Sequence, residues 1–474
     1  MNPAPEAAGA GRRTTGFGDG TMWAVMAAGL LLRLAPLVAY PDLTVEDGDE
    51  PLHYMMGALV PHFGHLVLGQ WAPGYETFLG LLFWISGPDV FVARAAQVIV
   101  STISIGLVYA IAKQAGGMRA ALIAASLWAI YPSSIAFSLY FFSETLFTTL
   151  LLAATHALLA SRFKSAGVWF GLATLTRSVA LYALPVWIVW TAIRRRPAEA
   201  RGAAVAFGVA LLTILPWTIR NAARYDAFLL VDGTMSSTFH AAYTVKLLNM
   251  DLGFEDWRAG PPRRPACRYA AMADLEPLPT AREIATLFPN TRPLPTQRLP
   301  EIRGYSTRDF PAAQRCESAA ALRFALANPG LVATQYARRI YALWGPNSFL
   351  LRAVHRGRYA GGLFDEGHYT GVRNGFVALY LFVIVGALAS LGARPLSRAT
   401  EWFAVYALLY TALHVVAVAW SRYRFPLMPL AIVAAALWLA NPQLPASRSR
   451  RIALGGLLVA FLGLALHYTA TRLP

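Results

Sequence analysis

Four carboxylates stand close together in a short polar segment that follows the first apolar run of the sequence. They are Glu46, Asp47, Asp49 and Glu50, and His53 and Tyr54 come directly after them. A carboxylate in such a place can accept the proton of an attacking hydroxyl, as a general base does. A charged loop in contact with water is the simpler interpretation, and it stays open beside the catalytic one.

Arginine recurs at the ends of later apolar runs. The residues concerned are Arg177, Arg220 with the neighbouring Asn221, and Arg422 with Arg424. Guanidinium groups hold phosphate oxygens, in pairs where the geometry allows, although such arginines also anchor helix ends in lipid headgroups. Glu144 differs because it lies inside an apolar stretch, where an ionisable group is costly and is usually functional or paired.

The rest of the chain must position these polar groups, and it is apolar. Its 474 residues are 56% hydrophobic and only 14% charged, with a mean hydropathy of +0.45. Several runs, among them 21–40, 90–112 and 372–391, approach the ~20 residues that cross a bilayer core. We therefore predict an all-α polytopic membrane protein with membrane lipids as partners.

The net charge of +16 does not indicate a nucleic-acid partner. Only three of the 41 basic residues are lysine, and the arginines cluster between apolar runs, where membrane topology places them. No nucleic-acid-binding module is recognisable. No nucleic-acid partner is therefore expected.

The positive-inside rule predicts one topology for the chain, with about eleven spans. We expect an N-terminal transmembrane module over 1–219, a large periplasmic loop region over 220–371, and C-terminal transmembrane helices over 372–474. The acids of the first loop, Glu144 and all four arginines then lie at the outer face. This orientation predicts a multi-pass protein of the inner (plasma) membrane with its active site facing the periplasm.

Several stretches of the chain, in order, resemble the GT-C superfamily of membrane glycosyltransferases. The nearest branch contains protein O-mannosyltransferases, the transferase that adds aminoarabinose to lipid A, and rhizobial lipid A glycosyltransferases. The matching stretches are Asp49-Glu50 with Tyr54, then 72–75, then Tyr131-Pro132 with 143–147, then 171–177, 215–221 and 422–426. In the family, the tyrosine often follows the key acid by three or four residues. Here Tyr54 comes five after Asp49 and four after Glu50, so either acid could be the base.

The resemblance implies a GT-C-like helical module that transfers a hexose or pentose with inversion. The donor would be a polyprenyl-phosphate sugar and the acceptor a lipid, glycan or protein. Asp49, Glu50 and Glu144 would be catalytic, whereas substrate would be bound by His53, Tyr54, Arg177, Arg220, Asn221, Arg422 and Arg424. A donor with one phosphate needs no metal, so no cofactor is certain and a divalent cation is left open. A lipid-linked glycan polymerase or ligase, and a polyprenyl-lipid flippase or transporter, are the alternatives.

The two cysteines, Cys267 and Cys316, both lie in the predicted large loop. A periplasmic loop is in an oxidising compartment, where paired cysteines commonly bridge. A disulfide across this proline-rich segment is one interpretation, and two unrelated thiols are the other.

Overall fold

The structure is a computed structural model that describes residues 17–41, 43, 45, 49–63, 71–233, 310–346, 348–355, 369–392 and 395–442, with short helical stretches between 448 and 463. Within these ranges the regular elements are all helices, which confirms the predicted all-α class. Residues 234–309, including Cys267, lie outside the described part, as do Glu46 and Asp47.

Nine α-helices lie within the described residues between 17 and 233. They are α1 (Phe17–Ala39), α2 (Glu50–Phe63), α3 (Gly74–Ser86), α4 (Val90–Ile130), α5 (Pro132–Ala136), α6 (Glu144–Leu159), α7 (Phe163–Thr176), α8 (Ala183–Ile193) and α9 (Pro197–Tyr225). A 3₁₀ helix over Ser178–Tyr182 joins α7 to α8.

The described helices of the second half begin after residue 309. They are α10 (Phe310–Ala327), α11 (Pro329–Trp344), α12 (Phe349–His355), α13 (Tyr369–Gly392), α14 (Arg398–Val416) and α15 (Met428–Ala440). A 3₁₀ helix over Ser421–Leu427 precedes α15 directly. The interruption at Asn328-Pro329, expected because proline cannot continue a helix, separates α10 from α11.

In the part of the chain that the structure describes, six helical segments are long and apolar enough to cross a membrane, judged by length and composition. Their outer faces carry large apolar side chains, such as Leu212 on α9, which is 66% exposed, and Leu408 on α14, which is 74% exposed. Such surfaces are typical of contact with lipid and unusual on a soluble monomer. The expected count of eleven spans is not confirmed, because α6 and the Ser178–Ile193 segment are apolar but shorter.

One of the six segments, α4, is a hairpin of two antiparallel arms. The arms meet at Gly117, whose φ of 78° is a left-handed backbone conformation that glycine adopts without steric cost. Across the arms, the indole Nε1 of Trp128 donates to the hydroxyl of Ser104 at 2.7 Å. The chain therefore crosses the bundle twice within this element, and its first arm is close to the run predicted at 90–112.

A buried arginine ties the hairpin to the first helix. Arg33 of α1 is fully buried, and its guanidinium donates to the hydroxyls of Ser101 and Ser134, both at 2.8 Å. Its remaining bonds go to the carbonyl oxygens of Gly29, Trp128 and Ala129. The positive charge is thus solvated by neutral oxygens from three elements, which fixes α1 and α5 against both arms of α4.

An ion-pair cluster closes one end of the bundle, which we call the basic end. Glu401 of α14 is 2% exposed and accepts from Arg196 at 2.7 Å and from Arg194 at 3.4 Å. The arginines follow the end of α8, so the pairs join α8 to the start of α14. The end reached by α14 at Val416 is called the site end below.

Candidate active site

Four polar side chains from distant parts of the sequence meet at the site end. Asp49 precedes α2, Glu144 opens α6, Arg177 caps the C-terminus of α7, and Arg422 lies in the 3₁₀ helix before α15. Nη2 of Arg422 donates to Oδ2 of Asp49 at 2.5 Å, across 373 positions of sequence. The acidic loop and the late arginine therefore meet in one cluster.

Glu144 lies between the two arginines of this site. Its Oε1 accepts from Nη1 of Arg177 at 3.0 Å and is 3.7 Å from Nε of Arg422. The same Nη1 of Arg177 donates to the hydroxyl of Ser143 at 3.1 Å. Because Glu144 occupies the first turn of α6, the free N–H groups and dipole there add to its stabilisation. The carboxylate is 1% exposed, so it holds both guanidinium groups in place from inside the protein.

Aromatic rings form the walls around the two arginines. The guanidinium carbon of Arg422 is 4.8 Å from the ring centre of Phe142, 5.4 Å from that of Trp420 and 5.1 Å from that of Tyr423. Arg177 lies 5.3 Å from the Tyr423 ring. Ring faces attract cations without neutralising them, so both arginines keep positive charge available for an anion.

Asp49 is the accessible member of the cluster, with its side chain 39% exposed. Burial alone would raise the pKa of this carboxyl. The charge and hydrogen bond of Arg422, together with the charges of His53 and Arg177, outweigh that effect and lower the pKa below its usual 3.8. Asp49 is therefore a carboxylate at neutral pH and can accept a proton.

Glu50 faces the opposite way, although it is the next residue. It is fully buried at the first position of α2, and its Oε1 accepts from the backbone N–H of Phe141 at 2.8 Å. This bond fixes the start of α2 against the segment that leads into α6. The two acids that sequence reasoning could not distinguish thus have different surroundings.

His53 lies one turn after Asp49 and contacts a residue that the sequence analysis missed. Its Nδ1 is 2.8 Å from Oε1 of Glu76 on α3, and its ring lies 4.5 Å from that of Trp71. Glu76 is 4% exposed. The signal that pointed to Glu144, an acid at the start of an apolar helix, could have found Glu76 as well.

Two predicted substrate-binding residues make structural contacts elsewhere. The hydroxyl of Tyr54 donates to the carbonyl of Pro88 at 2.6 Å, inside an apolar cluster with Phe83 and Phe141. Nη1 of Arg424 donates to the carbonyls of Leu343 and Gly345 and so holds the end of α11. Neither contact joins the group around Glu144.

Arg220 and Asn221 hold the loop that follows α9. Nδ2 of Asn221 donates to the carbonyls of Leu229 at 3.1 Å and Val231 at 2.9 Å. Arg220 donates to Oδ1 of Asn221 at 3.1 Å, and its guanidinium lies over the Trp217 ring at 4.5 Å. Their predicted role in substrate binding stays a prediction.

Two further expectations concern metal and disulfide. Among the residues that the structure describes, no group of three or more His, Cys, Asp or Glu side chains could hold a metal ion. Cys316 lies in α10 and is disulfide-bonded. Cys267, the other cysteine of the chain, lies outside the described residues.

Comparison with known proteins finds a partial match to a family model and a similar fold. Residues 70–219 match the family model described as dolichyl-phosphate-mannose-protein mannosyltransferase. Among curated proteins, none matches the chain in sequence.

Two solved structures are among those that match this chain. The apo oligosaccharyltransferase from Archaeoglobus fulgidus superposes with a TM-score of 0.51 and 14% identity, over 95% of this chain and 55% of that one. This chain thus spans about half the length of that enzyme. ArnT from Cupriavidus metallidurans, bound to undecaprenyl phosphate, gives a TM-score of 0.40 and 16% identity, over 86% of this chain and 78% of that one. The chain has the fold of the GT-C superfamily of membrane glycosyltransferases, as its sequence motifs predicted.

Proposed function

We propose that this protein is a glycosyltransferase that moves a sugar from a polyprenyl-phosphate donor to a hydroxyl of a lipid, glycan or protein. The observation that carries the proposal is the four-residue cluster at the site end. Asp49, Glu144, Arg177 and Arg422 place a proton acceptor beside two cations in a membrane-embedded fold. Displacement of a phosphate from the anomeric carbon by a hydroxyl uses both, the acceptor for the proton and the cations for the departing phosphate.

Asp49 is proposed as the general base. It is ionised, it reaches solvent, and it lies on the cluster side of the α2 start. As the acceptor oxygen attacks the anomeric carbon, Asp49 takes its proton and the bond from that carbon to the phosphate oxygen breaks, with inversion. Glu50 acts through α2 as a positioning residue, because its carboxylate is committed to the Phe141 amide.

Arg177 and Arg422 are proposed to bind the donor phosphate, with Glu144 holding them in position. The cluster contains two carboxylates and two guanidinium groups, so its formal charges balance before substrate binds. A phosphate brings further negative charge, and Arg422 is placed to donate hydrogen bonds both to Asp49 and to that phosphate. The reacting groups are thereby brought together by one side chain.

The cluster is proposed to face the periplasm, from the inner (plasma) membrane. The basic end carries Arg194, Arg195 and Arg196 directly after α8, and short loops rich in arginine stay in the cytoplasm. The site end would then be the outer one. Labelling of single cysteines introduced at each end of α8 in intact cells tests this orientation.

The test of the function is sugar transfer by the purified protein in detergent. We expect labelled sugar to pass from undecaprenyl phosphate to an acceptor extracted from the cell envelope, and expect Asp49→Asn to abolish that transfer. A glycan polymerase would instead require a pyrophosphate-linked oligosaccharide, and a flippase would move the lipid across vesicles without cleaving it. Either result in place of transfer would overturn the proposal.

A further inference from the structure

Three buried hydroxyls, one on α6 and two on α14, have no hydrogen-bond partner among the residues that the structure describes. They belong to Thr148, Tyr406 and Tyr410, which are each at most 1% exposed. A buried hydroxyl without a partner is costly, so such groups are few in native proteins. Three such hydroxyls on two neighbouring helices point to a polar group that binds among them.

The packing of the two helices puts the three groups at one level. Nε1 of Trp402 donates to the hydroxyl of Thr155 at 3.0 Å, which fixes α14 against α6. At 1.5 Å per residue, Thr148 lies ~10 Å from Thr155 toward the site end. On α14, which runs toward that end, Tyr406 and Tyr410 lie ~6 and ~12 Å beyond Trp402. Thr148 is therefore level with the gap between the two tyrosines.

The same region reaches the proposed catalytic cluster. Thr148 is one helical turn from Glu144 on α6, and Tyr410 lies within electrostatic range of Glu144, Arg177 and Arg422. Nε of Arg422, which is 3.7 Å from Oε1 of Glu144, is also buried and has no hydrogen bond within the described part of the chain. The unpaired atoms thus continue from the arginines into the helix bundle.

All four unpaired atoms can donate a hydrogen bond, and Nε of Arg422 can do nothing else. A group that accepts several bonds and carries negative charge matches this set best. Phosphate oxygens have that chemistry, whereas sugar hydroxyls would bring donors of their own.

We propose that Thr148, Tyr406 and Tyr410, together with Nε of Arg422, form a pocket for the phosphate oxygens of the lipid-linked donor. This inference rests on the proposed function and assigns residues to its leaving group. When the anomeric carbon–oxygen bond breaks, its electron pair stays on the phosphate oxygen. Donors aimed at that oxygen bind it more strongly in the transition state than in the ground state.

The test is direct binding of radiolabelled undecaprenyl phosphate to purified variants, measured alongside kcat for transfer. Tyr410→Phe, Tyr406→Phe and Thr148→Val each remove one hydroxyl with little change of shape. We expect Tyr410→Phe to weaken binding about tenfold, the value of one hydrogen bond to a charged group, and to lower kcat further. Thermal unfolding checks that each variant is folded. If Tyr410→Phe is unfolded, the other two variants test the proposal.

The matched control is Tyr109→Phe, which removes a hydroxyl that already has a partner, the sulfur of Met118 beside the α4 turn. It should leave binding unchanged. Unchanged binding and kcat in all three pocket variants would overturn the proposal. A higher KM for the donor with unchanged undecaprenyl phosphate binding would also overturn it, because that result assigns the pocket to the sugar. If inorganic phosphate competed as strongly as the lipid, the assignment of the pocket to a lipid-linked phosphate would be overturned. A wild type that binds the lipid but transfers no sugar would reject the proposed function alone.

Discussion

Replacing Asp49 by asparagine separates catalysis from folding at the proposed base. The amide keeps the size of the carboxylate and an oxygen that can still accept from Nη2 of Arg422. Asparagine cannot take a proton from an attacking hydroxyl. We therefore expect kcat to fall by about 10²–10⁴-fold, the usual contribution of a general base.

The effect on stability should be small because Asp49 is 39% exposed. Exposed ion pairs contribute about 0–1 kcal/mol, and Arg422 keeps Glu144 as a neighbour at 3.7 Å. The melting temperature of Asp49→Asn in detergent should accordingly stay close to that of the wild type. Transfer of labelled sugar under single-turnover conditions measures the chemical step without product release.

Glu50→Ala is the matched control, one residue away. It removes the acceptor of the buried Phe141 N–H, a loss of about 1–3 kcal/mol. We expect a lower melting temperature and a kcat reduced much less than in Asp49→Asn. The reasoning is refuted if Asp49→Asn turns over near the wild-type rate while the charge-removing Glu50→Gln does not.

Three further outcomes follow from the same contacts. Because the pKa of Asp49 is lowered, we expect kcat/KM to show no acid limb from this residue above about pH 4. The Asp49–Arg422 pair should stabilise the fold at pH values above the unfolded pKa of 3.8, and this stabilisation should be lost only as the pH falls through the lower folded pKa. Acid unfolding of Asp49→Asn, compared with that of the wild type, measures the loss. Arg177→Lys should weaken undecaprenyl phosphate binding about tenfold, because lysine replaces only one of the bonds to Ser143, Glu144 and phosphate. The control, Arg424→Lys, should lower only the melting temperature. Equal binding by both variants would make Arg177 a structural residue. Arg33→Met should destabilise the protein by about 3 kcal/mol or more, because several buried acceptors lose their donor, and the folded fraction should keep the wild-type kcat in the same transfer assay.

The sequence predicted the helical class, and it singled out the residues that meet in the candidate site, because both have long or repeated signals. Apolar runs mark the helices, and an acid such as Glu144 inside one of them is conspicuous. The fold of α4 was less accessible, since Gly117 is one of two adjacent glycines and only its positive φ shows where the chain reverses. Its first arm is close to the run predicted at 90–112, but several other apolar helices are too short to be counted as membrane spans by length alone.

Side-chain direction could not be obtained from the sequence. Asp49 and Glu50 are neighbours, and consecutive residues at a helix start point about 100° apart, so one faces the cluster and the other the interior. Arg422 and Arg424 are two positions apart in a 3₁₀ helix, which turns 120° per residue and sends them to different partners. Tyr406 and Tyr410 have the spacing of ordinary core residues, and only their unpaired hydroxyls distinguish them.

The buried guanidinium of Arg33 also constrains how the chain is made. An arginine at the centre of a helix costs about 2.5–3.5 kcal/mol for insertion by the translocon, so α1 enters the bilayer with a penalty. Gly29 supplies one acceptor within α1, but the others, from Ser101 to Ser134, are synthesised 68 to 101 residues later. We therefore expect the first helix to reach its final depth only when the α4 hairpin emerges and solvates the charge. A truncation before residue 101 would leave Arg33 with the carbonyl of Gly29 but without the acceptors from α4 and α5.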